Sequence, residues 1–144
     1  MSILQLHKRV RSLTTSVGIT TLAISFGAGC GGPPSGPTRY TISGTVTFDK
    51  QPVPKGFITF APDDTAGNKG PGGGAEVING KFKTEVSKGV VGGPHIVQIV
   101  AYDGISTKVE GEELPDGKSL FPTYTTTVNF PKQDTVTDFD VPKP

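Results

Sequence analysis

The chain has 144 residues, with 14 Lys and Arg against 13 Asp and Glu, 2 His, one Cys, no Trp, 20 Gly and 13 Pro. That length is one domain with a tail, and a net charge of +1 argues against a nucleic-acid binder, which needs a basic surface. A single cysteine excludes an intrachain disulfide and any zinc site built on two or four cysteines.

The first 29 residues read apart from the fold. Lys8, Arg9 and Arg11 form a positive cluster, Leu13 to Phe26 follows without a charge, and Gly27, Ala28 and Gly29 are small. A charged start, a short apolar stretch and a small-residue cleavage site make an export signal. Fourteen residues at about 1.5 Å each cover roughly 21 Å, short of a ~30 Å hydrocarbon core.

Cys30 follows directly, and Gly31-Gly32-Pro33-Pro34-Ser35-Gly36-Pro37 comes after it. Cys30 after such a segment resembles a bacterial lipoprotein signal, in which the cysteine carries the acyl chains as first residue of the mature protein. An ordinary signal peptidase could also use Gly27 and Gly29 and cut at the same bond. Lipidation gives the lone thiol a role and places the protein at the cell envelope, on either the inner or the outer membrane. Residues 30–38 then form a Gly/Pro-rich tether, and 39–144 the folded domain.

Beyond the tether, glycines and prolines punctuate the chain, and the longest window free of both is Lys132 to Val141. Strands fit such gaps better than helices do. Tyr40, Ile42, Val46 and Phe48 alternate with Thr41, Ser43, Thr45 and Thr47, which predicts a half-buried strand. Phe57 to Ala61 is a second, with Ile58 and Phe60 inward. Ala75 to Ile78 and Lys81 to Val86 flank Asn79-Gly80, the pair that favours a type I′ hairpin. In the latter strand Phe82, Thr84 and Val86 share the inner face. His95 to Tyr102 is apolar on both faces, as in a central strand, and His95 is expected to start it with its ring at the sheet edge. Tyr124 to Phe130 is a sixth strand. Val136 to Val141 is a seventh, burying Phe139 and Val141. Seven short strands separated by turn signals predict an all-β, antiparallel sandwich.

Ser43-Gly44-Thr45-Val46-Thr47-Phe48-Asp49, Pro52-Val53-Pro54, Ile58-Thr59-Phe60, Asn79-Gly80-Lys81-Phe82 and Gly93-Pro94-His95-Ile96-Val97 together resemble transthyretin-like domains of the carboxypeptidase-regulatory type. With the lipoprotein-like signal and Lys88-Gly89-Val90-Val91-Gly92-Gly93, the chain is similar to small envelope lipoproteins of planctomycete-type bacteria. The resemblance implies a seven-strand transthyretin-like sandwich and no particular chemistry. It departs at Lys50, where that family often has Gly, which leaves the type of the first turn open.

Catalytic patterns fail one by one. Gly70-Pro71-Gly72-Gly73-Gly74-Ala75 satisfies a dinucleotide-binding pattern, but no helix fits before Asn79-Gly80. His95 is the one histidine after the signal, and no serine stands in a Gly-x-Ser-x-Gly turn. The hydrolase that shares the transthyretin fold uses several histidines and a Tyr-Arg-Gly-Ser tail, whereas this chain ends Asp140-Val141-Pro142-Lys143-Pro144. No enzyme activity, cofactor or metal is expected. Asp63-Asp64 lies in a loop. The connection from Asp103 to Pro122 is longer than a hairpin needs. It carries Glu110, Glu112, Glu113 and Asp116, then Leu120 and Phe121 as apolar contacts. This is the candidate binding loop, read otherwise as a solvated acidic insertion. The expected role is therefore non-catalytic, structural or adhesive, with an envelope protein or polysaccharide as partner. The alternative is a carbohydrate- or peptide-binding module that uses the loops at one end of the sandwich.

Overall fold

The computed structural model describes residues 36–143. The signal segment 1–29, Cys30 and most of the tether lie outside the described residues. The elements are strands β1 (Ile42–Phe48), β2 (Gln51–Pro52), β3 (Lys55–Pro62), β4 (Gly73–Ile78), β5 (Lys81–Lys83), β6 (Gly93–Tyr102), β7 (Thr107–Val109), β8 (Glu112–Leu114), β9 (Tyr124–Phe130), β10 (Thr135–Val136) and β11 (Phe139–Val141), with one 3₁₀ turn at Val86–Lys88. The described fold is all-β.

Nine strands form one curled sheet in the order β10-β1-β5-β4-β3-β6-β9, with β2 and β11 also paired to β1. The separate pair β7-β8 stands outside it. Alternation decides which side chains face inward. Ile42 and Val46 of β1, Ile58 and Phe60 of β3, Val77 of β4, Phe82 of β5 and Val97 and Ile99 of β6 all fill the core. Phe60 lies 6.2 Å from Phe82 and 5.5 Å from Phe130, ring to ring, and Phe139 lies 6.0 Å from Phe82. These rings join the two halves of the curl. Phe121 closes the far end against Phe48, centroids 4.9 Å apart.

Three hairpins turn on two residues with positive φ each: Asp49 and Lys50 (51° and 61°), Asn79 and Gly80 (49° and 75°), Glu110 and Gly111 (53° and 90°). The pairs Phe48↔Gln51, Ile78↔Lys81 and Val109↔Glu112 close them. All three are type I′ turns, whose twist matches that of the flanking strands. The first turn thus has the type that Gly would favour, with Lys50 held in the left-handed region.

Five expectations are corrected. The sheet is antiparallel except along the C-terminal stretch, where β10 and β11 run parallel to β1 (Ile42↔Thr135, Val46↔Phe139). The expected seventh strand is broken there at Thr137-Asp138. Gly44 explains the break: the Thr137 carbonyl sits where a Cβ on residue 44 would be, 1.9 Å away, and the Thr137 N–H donates to Ser43 O at 2.8 Å. Val86 is 75% exposed, because the strand ends at Lys83 and the 3₁₀ turn carries Val86 off the core; Thr84 stays buried, its hydroxyl accepting from Ile42 N at 3.0 Å. His95 is fully buried and lies away from any sheet edge, since β6 is flanked by β3 (Pro62↔His95) and β9 (His95↔Val128). Finally, β6 buries one face, His95, Val97, Ile99 and Ala101, while Gln98 is exposed and Ile96, Val100 and Tyr102 are only half-buried.

Candidate functional site

The strands run between two ends that differ in what they carry. At one end the described chain begins, and Arg39 Nη1 donates to Gly72 O and Gly89 O, both at 3.0 Å. Tyr40 and Val90 exchange backbone hydrogen bonds of 2.7 and 2.9 Å beside it. Four segments fix this end: the chain start, the loop after β3, the 3₁₀ turn region and the chain after β9. At the opposite end are the three type I′ turns and the connection from Asp103 to Pro122.

That connection is built, not loose. Its base is a clasp around Asp103, whose Oδ1 accepts from Ile105 N at 2.9 Å and Lys118 N at 3.0 Å. Asp103 N donates to Lys118 O, Gly104 N to Asp116 O, and Leu120 N to Ala101 O, at 2.9 to 3.0 Å. Above the clasp β7 and β8 form a hairpin (Thr107↔Leu114, Lys108↔Glu113) that pairs with nothing else in the sheet.

The candidate residues separate accordingly. Phe121 is 6% exposed and belongs to the core, and Leu120 packs against that core half-buried. Asp116 pairs with Lys55 of β3, and hydrogen bonding to Asp116, then its charge, raises the Lys55 pKa above its ordinary value. Glu113 pairs with Lys108 at 2.7 Å across the hairpin. Glu110 occupies the turn itself, and Glu112 stands exposed next to it. Ile105, 68% exposed, and Val109, 43% exposed, are the apolar side chains open to solvent here. Half of the acidic set is therefore used inside the domain, and half, at the tip, makes no ion pair among the described residues. Among the described residues no three His, Cys, Asp or Glu side chains gather closely enough to hold a metal ion.

The tether end holds a shallow cleft of about 330 Å³ lined by Asn68, Lys69, Val91, Gly92 and Lys132, among others. Asn68 closes its floor, Nδ2 donating to Gly92 O at 3.0 Å and Pro94 O at 2.8 Å. Asp63 caps the loop that brings Asn68 there: its Oδ1 accepts from the Thr65 hydroxyl at 2.6 Å and from Thr65 N and Ala66 N. The Thr65 hydroxyl, foremost among these donors, holds the Asp63 carboxyl below its ordinary pKa. Below lies His95, edge-on to Phe130 at 5.5 Å. A carbonyl only accepts, so the 2.9 Å contact of Nδ1 with Gly93 O places the ring proton on Nδ1. Nε2 is left buried with no hydrogen-bond partner. A ring so enclosed packs the core. The glycine-rich run Gly70–Gly74 passes straight into β4, with no helix to aim at a phosphate.

Sequence reasoning missed the β7-β8 hairpin. Its turn, Glu110-Gly111, lacks the Asn or Asp that marks such turns, and the flanking Thr107-Lys108-Val109 and Glu112-Glu113-Leu114 are too short and too polar to show a period-two pattern. Comparison of the chain with protein-family models, with curated proteins and with solved structures returned no match.

Proposed function

We propose that the chain is an exported, lipid-anchored domain with a structural or adhesive role at the cell envelope, in which a seven-strand, transthyretin-like sandwich carries the β7-β8 hairpin away from the membrane. The strands that make up this sandwich are β1, β3, β4, β5, β6, β9 and the broken β10-β11 stretch; β2, β7 and β8 are additions at its far end. The observation that carries the reading is polarity. The tether joins the domain at Arg39, and the hairpin emerges from the opposite ends of the strands. Ten residues of β6 at about 3.3 Å each put roughly 33 Å between the two ends. Lys8, Arg9 and Arg11, the uncharged stretch after them and the lone Cys30 support the anchor. Two or more acyl chains at about 0.8 kcal/mol per buried methylene hold a domain of this size stably on a bilayer.

Membrane fractionation of cells expressing the full chain tests the anchor. The protein is expected with the membranes, and Cys30→Ala is expected to release it or to stall its processing. Mass spectrometry that finds an unmodified Cys30 at the mature N-terminus refutes lipidation.

A second reading, a carbohydrate- or peptide-binding module, is favoured by the exposed Ile105 and Val109 beside Glu110 and Glu112 at the far end. Pull-down from envelope extract, with and without residues 107–114, separates a binding tip from a spacer.

A further inference from the structure

The two edges of the main sheet differ in kind. One is β10-β11: short, interrupted at Thr137-Asp138, and bearing Asp134, Asp138 and Asp140 before Pro142. Short length, charge and proline are the usual protections of an edge. The other is β9, seven residues long, Tyr-Thr-Thr-Thr-Val-Asn-Phe, with no charge, no proline and no glycine. Pro122 and Pro131 bracket it from outside.

The register shows which groups of β9 are unused. Asp63 N donates to Pro94 O, so the polar groups of Pro94 face β3, and by alternation those of Gly93, His95, Val97 and Ile99 face β9. Their partners on β9 are Phe130, Val128, Thr126 and Tyr124. The N–H and C=O groups of Thr125, Thr127 and Asn129 therefore point away from the sheet. All three residues are exposed, and none takes part in a hydrogen bond among the described residues.

We propose that β9 is a dimerisation edge, pairing antiparallel with β9 of a second copy about a two-fold axis at Thr127. The strand is complementary to itself in that register. Thr127 faces its counterpart, Thr125 faces Asn129, and each outward N–H meets an outward C=O. Thr opposite Thr and Thr opposite Asn are polar pairs that hydrogen-bond across strands, and no like charges meet. On the inner face Thr126 comes opposite Val128, and the half-buried Tyr124 and Val128 gain cover. The result is one sheet continuous through both copies.

Sedimentation of the full chain with substitutions at Thr127 tests this. The unaltered protein is expected as a dimer. Thr127→Pro removes an outward N–H while leaving the ladder to β6 intact, and is expected as a folded monomer. Thr127→Lys and Thr127→Glu, each placing like charges at the axis, are expected as monomers alone and as a heterodimer when mixed. That rescue reads the register itself and stands even if the proline variant fails to fold. An unaltered chain that sediments as a monomer overturns the proposal, as does a dimer that persists in Thr127→Lys. Failure of the mixed charged variants to pair overturns the two-fold at Thr127.

Discussion

The backbone N–H and the hydroxyl of Thr45 both donate to one carboxylate oxygen of Asp138, each at 2.8 Å, across 93 residues of sequence. The relation repeats along the strand. Asp134 accepts from Thr41 N at 2.7 Å, and Asp140 from the Thr47 hydroxyl at 2.7 Å, at the same separation. A row of aspartates thus fastens the C-terminal stretch to β1, and at the break at Thr137-Asp138 the Asp138 carboxylate stands in for the interrupted ladder. Asp138→Ala removes two charge-assisted bonds at an exposed site and is expected to cost about 1–2 kcal/mol. Asp138→Asn, which keeps an acceptor, should recover part of that. Urea denaturation of both variants measures the difference.

The turn at Asp49-Lys50 makes a prediction of opposite sign. A non-glycine residue in the left-handed region costs roughly 1–2 kcal/mol, against which glycine loses about 0.5–1 kcal/mol of chain entropy. Lys50→Gly is therefore expected to stabilise the domain by up to about 1 kcal/mol, seen as a rise in melting temperature. Lys50→Pro, with φ fixed near −65°, cannot form the turn and should destabilise.

Core and surface can be told apart within one short stretch. Phe82 is 5% exposed and sits between Phe60 and Phe139, so Phe82→Ala is expected to cost about 3–5 kcal/mol. Val86→Ala, four residues on, should change stability by less than about 0.5 kcal/mol. Equal losses in thermal denaturation would show that the strand runs past Lys83 with Val86 inside.

The far-end connection divides at its clasp. Residues 107–114 pair only with one another, and replacing them by a short Gly-Ser link should leave melting cooperative and nearly unchanged. Asp103→Ala strips the acceptor from Ile105 N and Lys118 N and should loosen the whole connection, read as faster amide exchange from residue 104 to 119.

Much of the fold was legible because alternation at period two names the inward residues directly: Ile42, Val46, Ile58, Phe60, Phe82, Phe139 and Val141 are inside as their spacing predicts. Asn79-Gly80 named its turn for the same local reason. What alternation cannot express is strand direction. Nothing local to Val136–Val141 says that it lies parallel to β1, nor that Gly44, some 90 residues earlier, leaves room for the Thr137 carbonyl. His95 was misplaced because its polarity speaks for an edge, while its neighbours on both sides enclose it. The candidate loop was legible as an insertion, but its acids could not be sorted. Asp116 is engaged by Lys55 and Glu113 by Lys108, and the first of those pairings joins segments far apart in sequence.

The clasp of the C-terminal stretch on β1 also sets when the domain can fold. One flank of β1 is filled by residues 135–141, and the contacts that fill it span 93 residues. A nascent chain stopped at Phe130 still lacks Phe139 and Val141 from its core and presents β1 as a second open edge. Closing loops of that length is slow, so folding of this domain waits until residues 135–141 have been made and then proceeds as one late, cooperative event.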